Sequence, residues 1–204
     1  MDLVKNMEII NAKYEDLDIL SDILLKAFES EPMSNWTVKN DNKRLQRIKL
    51  MQETIIKFFG FPYGEVFTNE DKTSCAVWIK PENFFNISFT SLSLILAWVK
   101  TVGIERIPKI LKTANILSKH QPKFKCYYLM SLGVIPEHQG KGIGSKLIKP
   151  ILDKCDKERI PIYLETSNKD NLRFYEKHGF RIKDEINNPS ILPLTWTMIR
   201  EPKL

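Results

Sequence analysis

Leu17, Leu20, Ile23, Leu24, Ala27 and Phe28 recur at intervals of three and four. Such spacing places apolar side chains on one face of a helix. It predicts an amphipathic helix from Tyr14 that stops before Pro32, with a short strand, Met7–Asn11, ahead of it. Met33–Trp36 then reads as a loop carrying an exposed aromatic. A second helix is predicted from near Asp41, with Leu45, Ile48, Met51, Ile55 and Phe59 on one face, until Gly60 and Pro62 end it. The period next changes to that of strands: Gly64–Thr68 and Ser74–Ile79 flank Asn69–Thr73, a hairpin loop.

Residues 81–123 hold Phe84, Phe85, Phe89 and Trp98, followed by a lysine-rich helical pattern through Ile110, Leu111, Ile116 and Leu117; two helices are expected there. Tyr127–Ile135 is almost continuously apolar, the pattern of a central strand buried on both faces, and Pro136 ends it. A helix follows from Ser145, with Leu147, Ile148, Ile151, Leu152 and Cys155 inward and a bend expected at Pro150. Ile160–Glu165 reads as a strand, and Lys169–His178 as a short helix closed by Gly179. Phe180–Glu185 and Leu194–Arg200 complete the pattern as two final strands. This order of elements calls for an α/β (α+β) protein, a mixed sheet flanked by helices. One domain over residues 1–204 is expected, without internal repeats.

A chain of 204 residues is long enough for one sizeable core. Its longest apolar run, Ser91–Val99, is far short of the ~20 residues that span a bilayer. Met1–Met7 has no apolar signal core, so a cytoplasmic protein with no membrane partner is expected. Cys75, Cys126 and Cys155 are isolated and form no C-x-x-C pair, and His120, His138 and His178 lack metal-ligand spacing; no metal is expected. The net charge of +6 is spread along the chain with no basic stretch interleaved with aromatics, so nucleic acid is not expected as a partner. A small anionic ligand remains compatible with that balance.

Three of the eight glycines, Gly140, Gly142 and Gly144, fall within five residues, between the apolar strand and the following helix. A Walker A loop ending at Gly140-Lys141 would need glycine where Ile135 stands and a hydroxyl where Gly142 stands. A dinucleotide fingerprint would need its third glycine at Ser145. Both motifs fail, but the physical site they share survives. A glycine turn exposes the unpaired N–H groups and positive dipole end of a helix start, where an anion such as a pyrophosphate settles. Lys141 and Lys146 add charge nearby. The alternative is a bare tight turn before a helix.

Gln139-Gly-Lys-Gly142-Ile-Gly144 resembles the Q/R-x-x-G-x-G/A signature of the GNAT-type N-acetyltransferases. The likeness continues through Leu129–Val134 as the strand before the loop, Tyr163–Ser167 as the next strand, and Asn168–Phe180 as the closing helix and its exit, covering about 125–200. With Trp196–Arg200 it is similar, within that superfamily, to the puromycin N-acetyltransferase-like subgroup. The resemblance implies a mostly antiparallel central sheet of about seven strands flanked by helices. It implies acetyl-CoA as cosubstrate, held by Leu132, Gly133, Val134, Gln139, Gly140, Lys141, Gly142, Ile143, Gly144, Ser145, Asn168, Asn171 and Tyr175.

By the same resemblance, a backbone N–H of Leu132, Gly133 or Val134, with Val134 favoured, binds the thioester oxygen, and Tyr175 is the general acid toward the leaving thiolate. Glu165 is the candidate base, or a group that only holds the amine; a surface ion pair is the plain alternative. Tyr175 read plainly is an aromatic packed beside Phe174, and Asn168 a helix cap. Acceptor-side elements are expected at about 28–40 and 81–123, where Trp36, Phe84, Phe85 and Trp98 are candidate walls or core. The implied activity is acetyl transfer to a primary amine on a small molecule. A protein or peptide acceptor, or a CoA-binding module without turnover, is the alternative. The chain is expected to be a monomer or homodimer.

Overall fold

The computed structural model describes residues 7–85 and 92–203. Phe89, Ser91 and the first six positions, which entered the sequence reading, lie outside the described residues. In chain order the elements are β1 (Ile9–Asn11), α1 (Leu17–Phe28), α2 (Pro32–Thr37), α3 (Arg44–Ile55), a single turn α4 (Phe61–Tyr63), β2 (Gly64–Asn69), β3 (Ser74–Ile79), α5 (Leu92–Val102), α6 (Ile107–His120), β4 (Tyr127–Val134), α7 (Ile143–Glu158), β5 (Ile162–Thr166), α8 (Asp170–Lys177), β6 (Arg181–Ile186) and β7 (Thr195–Arg200). The strands form one seven-stranded mixed sheet in the order β1-β2-β3-β4-β5-β7-β6. Every neighbouring pair is antiparallel except β4 with β5.

Each face of the sheet is covered. On one side Leu147, Ile148, Ile151 and Cys155 of α7 bury against Phe67, Ala76, Trp78 and Leu129. On the other, Leu20, Ile23 and Leu24 of α1 bury against Val66, Cys75 and Val77. The β2–β3 register is set by a buried side-chain network: Asn69 Oδ1 accepts from Thr73 N at 3.0 Å and from Ser74 Oγ at 2.6 Å. α7 runs unbroken through Pro150. No helix among the described residues is long and apolar enough to cross a membrane.

Three local expectations are corrected. Met33–Trp36 is helical, not a loop: Pro32 occupies the first position of α2, where its fixed φ favours helix. Trp36 is covered from α6, with the Lys109 ammonium 3.3 Å from its ring centroid and Arg106 Nη2 donating to its carbonyl at 3.0 Å. The helix predicted through Phe59 ends as α-helix at Ile55 and continues as a π-helical turn, Ile56–Gly60, while Leu45 stays 46% exposed. The turn brings Gly60 so close to β2 and β3 that a Cβ there would lie 2.7 Å from Val66 and 2.9 Å from Val77. Finally, β4 is not buried on both faces: Tyr128, Met130, Leu132 and Val134 are half-buried, alternating with buried neighbours. Its apolar run is continuous because the half-buried residues line a cavity.

Candidate active site

β4 and β5 pair only from Tyr127↔Ile162 to Leu129↔Leu164 and then part, while β4 keeps β3 as partner as far as Val134. Beyond Leu129, the β5-facing edge of β4 therefore borders a gap. Ile135 N donates to Thr73 O at 3.0 Å, and the register continues through Ser74↔Val134 and Cys75↔Gly133. Because hydrogen-bonded and non-bonded pairs alternate along an antiparallel ladder, Gly133 N–H faces β3 and the N–H groups of Leu132 and Val134 face the gap. Gly133 has a packing reason instead: a Cβ there would lie 2.7 Å from Ala27 Cβ and 2.8 Å from Leu24 Cδ2. Its absence lets α1 lie flat on β4.

The glycine turn hangs directly from this edge. Gln139 Nε2 donates to Val134 O at 2.9 Å. Gly140 and Gly142 have φ of +73° and +85°, which glycine adopts without steric cost. Gly142 is the N-cap of α7, and no side chain caps that start. The N–H groups of Ile143, Gly144 and Ser145 thus have neither an intrahelical acceptor nor a capping one, and the helix dipole adds to their pull on an anion. A Cβ on Gly140 would meet nothing within 4 Å, so the loop's outer side is open. These features fit a diphosphate. The two lysines contribute less than expected. Lys141 Nζ turns back to Glu137 O at 2.8 Å, and Lys146 Nζ reaches Met7 O at 3.4 Å.

A cavity of about 1180 Å³ runs from this turn, through the gap, to α3, α5 and α6. It brings together Leu132, Gly133, Val134, Gln139, Gly140, Gly142, Ile143, Gly144, Ser145, Glu165, Asn168, Asn171 and Tyr175; of the residues singled out for coenzyme and chemistry, only Lys141 does not line it. Of the aromatic walls anticipated, Trp98 lines the cavity and Trp36, Phe84 and Phe85 do not. Phe84 is buried behind the site and Phe85 is 58% exposed.

Glu165 stands at the inner side of the gap. Tyr163 Oη donates to its Oε1 at 2.8 Å, and Tyr128 Oη to its Oε2 at 3.3 Å. Burial raises its pKa above the ordinary carboxylate range, while the bonds from Tyr163 and Tyr128 and the nearby Gln121 amide oppose that rise. Burial and the adjacent carboxylate in turn raise both phenols, so each stays a donor. Phe84 packs edge-on against both rings, at 6.1 and 6.2 Å between centroids. Sequence reasoning missed these partners. Tyr163 carried a readable signal, two residues before Glu165 and so on the same strand face. Tyr128 and Gln121 carried none, because pairing and chain return place them there.

Tyr175 is 8% exposed, packed between Phe174 and Phe180 at 5.2 and 5.7 Å. Burial, with the charge of Glu31, raises its pKa and keeps it protonated. Asn168 lies just before the N-cap Lys169 of α8; its Oδ1 accepts from Asp170 N at 3.0 Å, while its Nδ2 donates to Glu31 Oε1 at 2.9 Å. Glu31, between α1 and α2, was not anticipated, and nothing local marks it. Asn171 lies one turn before Tyr175 on the same side of α8. The three cysteines are buried; Cys126 is pushed up to about 12 and Cys155 to about 11, so neither is a thiolate nucleophile at neutral pH.

A profile of the acetyltransferase (GNAT) family matches residues 77–180. An uncharacterised N-acetyltransferase of Schizosaccharomyces pombe is 29% identical over 196 residues, covering 88% of this chain and 77% of that protein. N-alpha-acetyltransferase 50 of Danio rerio is 32% identical over 73 residues, 34% of this chain and 44% of that one. Among solved structures, histone acetyltransferase HPA2 and related acetyltransferase from Corynebacterium glutamicum superposes with a TM-score of 0.69 at 18% identity, covering 97% of both chains. Arylalkylamine N-acetyltransferase 2 from Aedes aegypti gives 0.60 at 16% identity, covering 97% of this chain and 100% of that one. At such identities the superpositions speak for the fold alone.

Proposed function

The chain belongs to the acetyltransferase (GNAT) family, and on that premise we propose that it moves the acetyl group of acetyl-CoA to a primary amine of a small molecule. In this reading the whole chain is one catalytic domain, with the coenzyme side at about 125–200 and the acceptor side at about 28–40 and 81–123. The N–H groups of Ile143, Gly144 and Ser145 hold the diphosphate, and the freed edge of β4 pairs with the pantetheine arm. Val134 N–H points where negative charge develops on the thioester oxygen. Glu165 receives the acceptor ammonium and takes one proton from it; the freed amine attacks the thioester carbon, the C–S bond breaks, Tyr175 gives its phenolic proton to the departing thiolate, and the second proton shed by nitrogen as the amide forms restores the phenol. Asn171 and Asn168 serve the pantetheine amides, Asn168 after exchanging its bond to Glu31.

The observation that carries this reading is the parting of β4 from β5. It leaves the Leu132 and Val134 N–H groups facing a cavity that Glu165 and Tyr175 also line. The test is release of free CoA thiol from acetyl-CoA with a panel of amines. The panel includes puromycin, which the subgroup resemblance brings in, together with polyamines, aminoglycosides and peptides. Turnover with a small amine supports the proposal. Turnover with peptides alone would redirect it to a protein acceptor, and tight CoA binding with no turnover would point to a regulatory module.

A further inference from the structure

Ile107, Ile110, Leu111, Ala114 and Leu117 occupy one face of α6, at the spacing that ordinarily marks a helix side packed on a core. Among the described residues that stripe joins no core cluster. The only buried residue of α6 is Thr113, whose Oγ1 donates to Ile191 O at 2.7 Å, and no apolar side chain of α6 belongs to a core cluster. All five stripe residues line the cavity. The same cavity is lined by Met33, Met51, Phe59, Ile95 and Trp98, from α2, α3 with its π-helical extension, and α5.

The stripe opens to solvent at its middle, where Leu111 is 63% exposed, while Ile107, Ile110 and Leu117 are half-buried; Gln121, just past the end of α6, lies close enough to Glu165 to oppose the rise of its pKa. The hydrocarbon wall thus runs from solvent to the carboxylate. Charge along this arm is one-sided. Among the described lining residues the acids besides Glu165 are Glu31 and Asp170, and the lysine is Lys177; all three sit at the α8 side of the cavity with Asn168 and Tyr175. An ammonium at the inner end of the arm meets Glu165, and whatever it is attached to meets a wall that is mostly hydrocarbon and otherwise uncharged, with Ser34, Thr37, Gln52 and Thr113 its polar members among the described residues.

Resting on the acetyl-transfer reading above, we infer that the acceptor is a primary amine borne on an uncharged apolar body, an alkyl- or arylalkyl-amine, and not a polyamine or a polar amino sugar. Glu165 pairs with the single ammonium, and the α6 stripe removes the tail from water. A second ammonium on the same molecule would be stripped of water beside Ile110 and Trp98 with no carboxylate partner among the described residues of that arm, at a cost that outweighs the apolar gain.

The test needs only the intact protein, acetyl-CoA and two comparisons. Along butylamine, hexylamine and octylamine, kcat/KM should climb by up to about fourfold for each methylene buried. Octylamine should exceed 1,8-diaminooctane, which has the same length and a second charge, at least tenfold. Ile110→Asp should cut the octylamine value about tenfold while the acetyl-CoA affinity is retained, which certifies the fold. A flat series, or preference for the diamine, with acetylation of some amine still observed, overturns this substrate class and leaves acetyl transfer standing. No acetylation of any amine removes both.

Discussion

The Tyr163 hydroxyl donates to Oε1 of Glu165 at 2.8 Å from two residues away on the same face of β5. That bond favours the charged carboxylate, in opposition to the burial that favours the neutral acid. Removing the hydroxyl leaves burial less opposed. Tyr163→Phe should move the ascending limb of the pH–rate profile to higher pH, by about one unit if the bond is worth about 1.5 kcal/mol. A pH profile of kcat/KM checks this, and an unmoved limb would detach Tyr163 from the ionisation of Glu165.

Glu165→Gln should lower kcat/KM by about a hundredfold or more and abolish that limb. It should also stabilise the fold at neutral pH. The folded-state pKa of Glu165 is raised, so its contribution to stability is full below the unfolded value of 4.5 and is lost as pH rises through the folded value. An amide there never ionises. Thermal melts at pH 7 should show the variant at or above the parent, alongside the lost activity.

Tyr175→Phe keeps the ring packed between Phe174 and Phe180 and removes only the hydroxyl. Its expected effect is a fall in kcat of about ten- to a hundredfold with little change in KM for acetyl-CoA, because the proton matters only as the thiolate forms. Steady-state kinetics decide it; equal turnover excludes Tyr175 from the chemistry.

Gly142→Val puts a β-branched side chain at φ +85° on the N-cap of α7. Backbone strain of about 1–3 kcal/mol is expected, together with displacement of the N–H groups assigned to the diphosphate. Acetyl-CoA should bind at least tenfold more weakly by calorimetry. Unchanged affinity would refute the cradle.

Arg200 donates two bonds of 2.8 Å to Asp156 and others to His178 O and Cys155 Sγ, with its side chain 2% exposed. This tie between β7 and α7 is structural. Asp156→Asn should destabilise the protein by about 2 kcal/mol, discounted from a fully buried pair because the carboxylate is partly exposed. The Arg200 bonds hold the Asp156 pKa below its ordinary 3.8. The stabilisation is therefore complete above that value and disappears as pH falls through the folded one. Denaturation in acid should accordingly show a shallower loss for the variant.

Reading this chain residue by residue recovers what is local. The periods of α1, α5, α6, α7 and the strands, the glycine turn, and Gly179 just past the end of α8 all follow from side-chain spacing and backbone freedom within a few residues. The positions of Gln139, Gly142 and Tyr175 were legible for the same reason, since the turn and the helices that carry them are continuous pieces of chain. What the tertiary structure alone decided depends on segments far apart in sequence. It turned the residues of β4 that looked doubly buried into a cavity wall, because the strand's neighbour leaves it after Leu129. It set Tyr128, Gln121 and Glu31 beside Glu165 and Tyr175. It also left the apolar stripe of α6 along a cavity wall, outside the core clusters of the described residues. A helical period states that one face avoids water but not what covers it; only packing distinguishes a core from a place kept for another molecule.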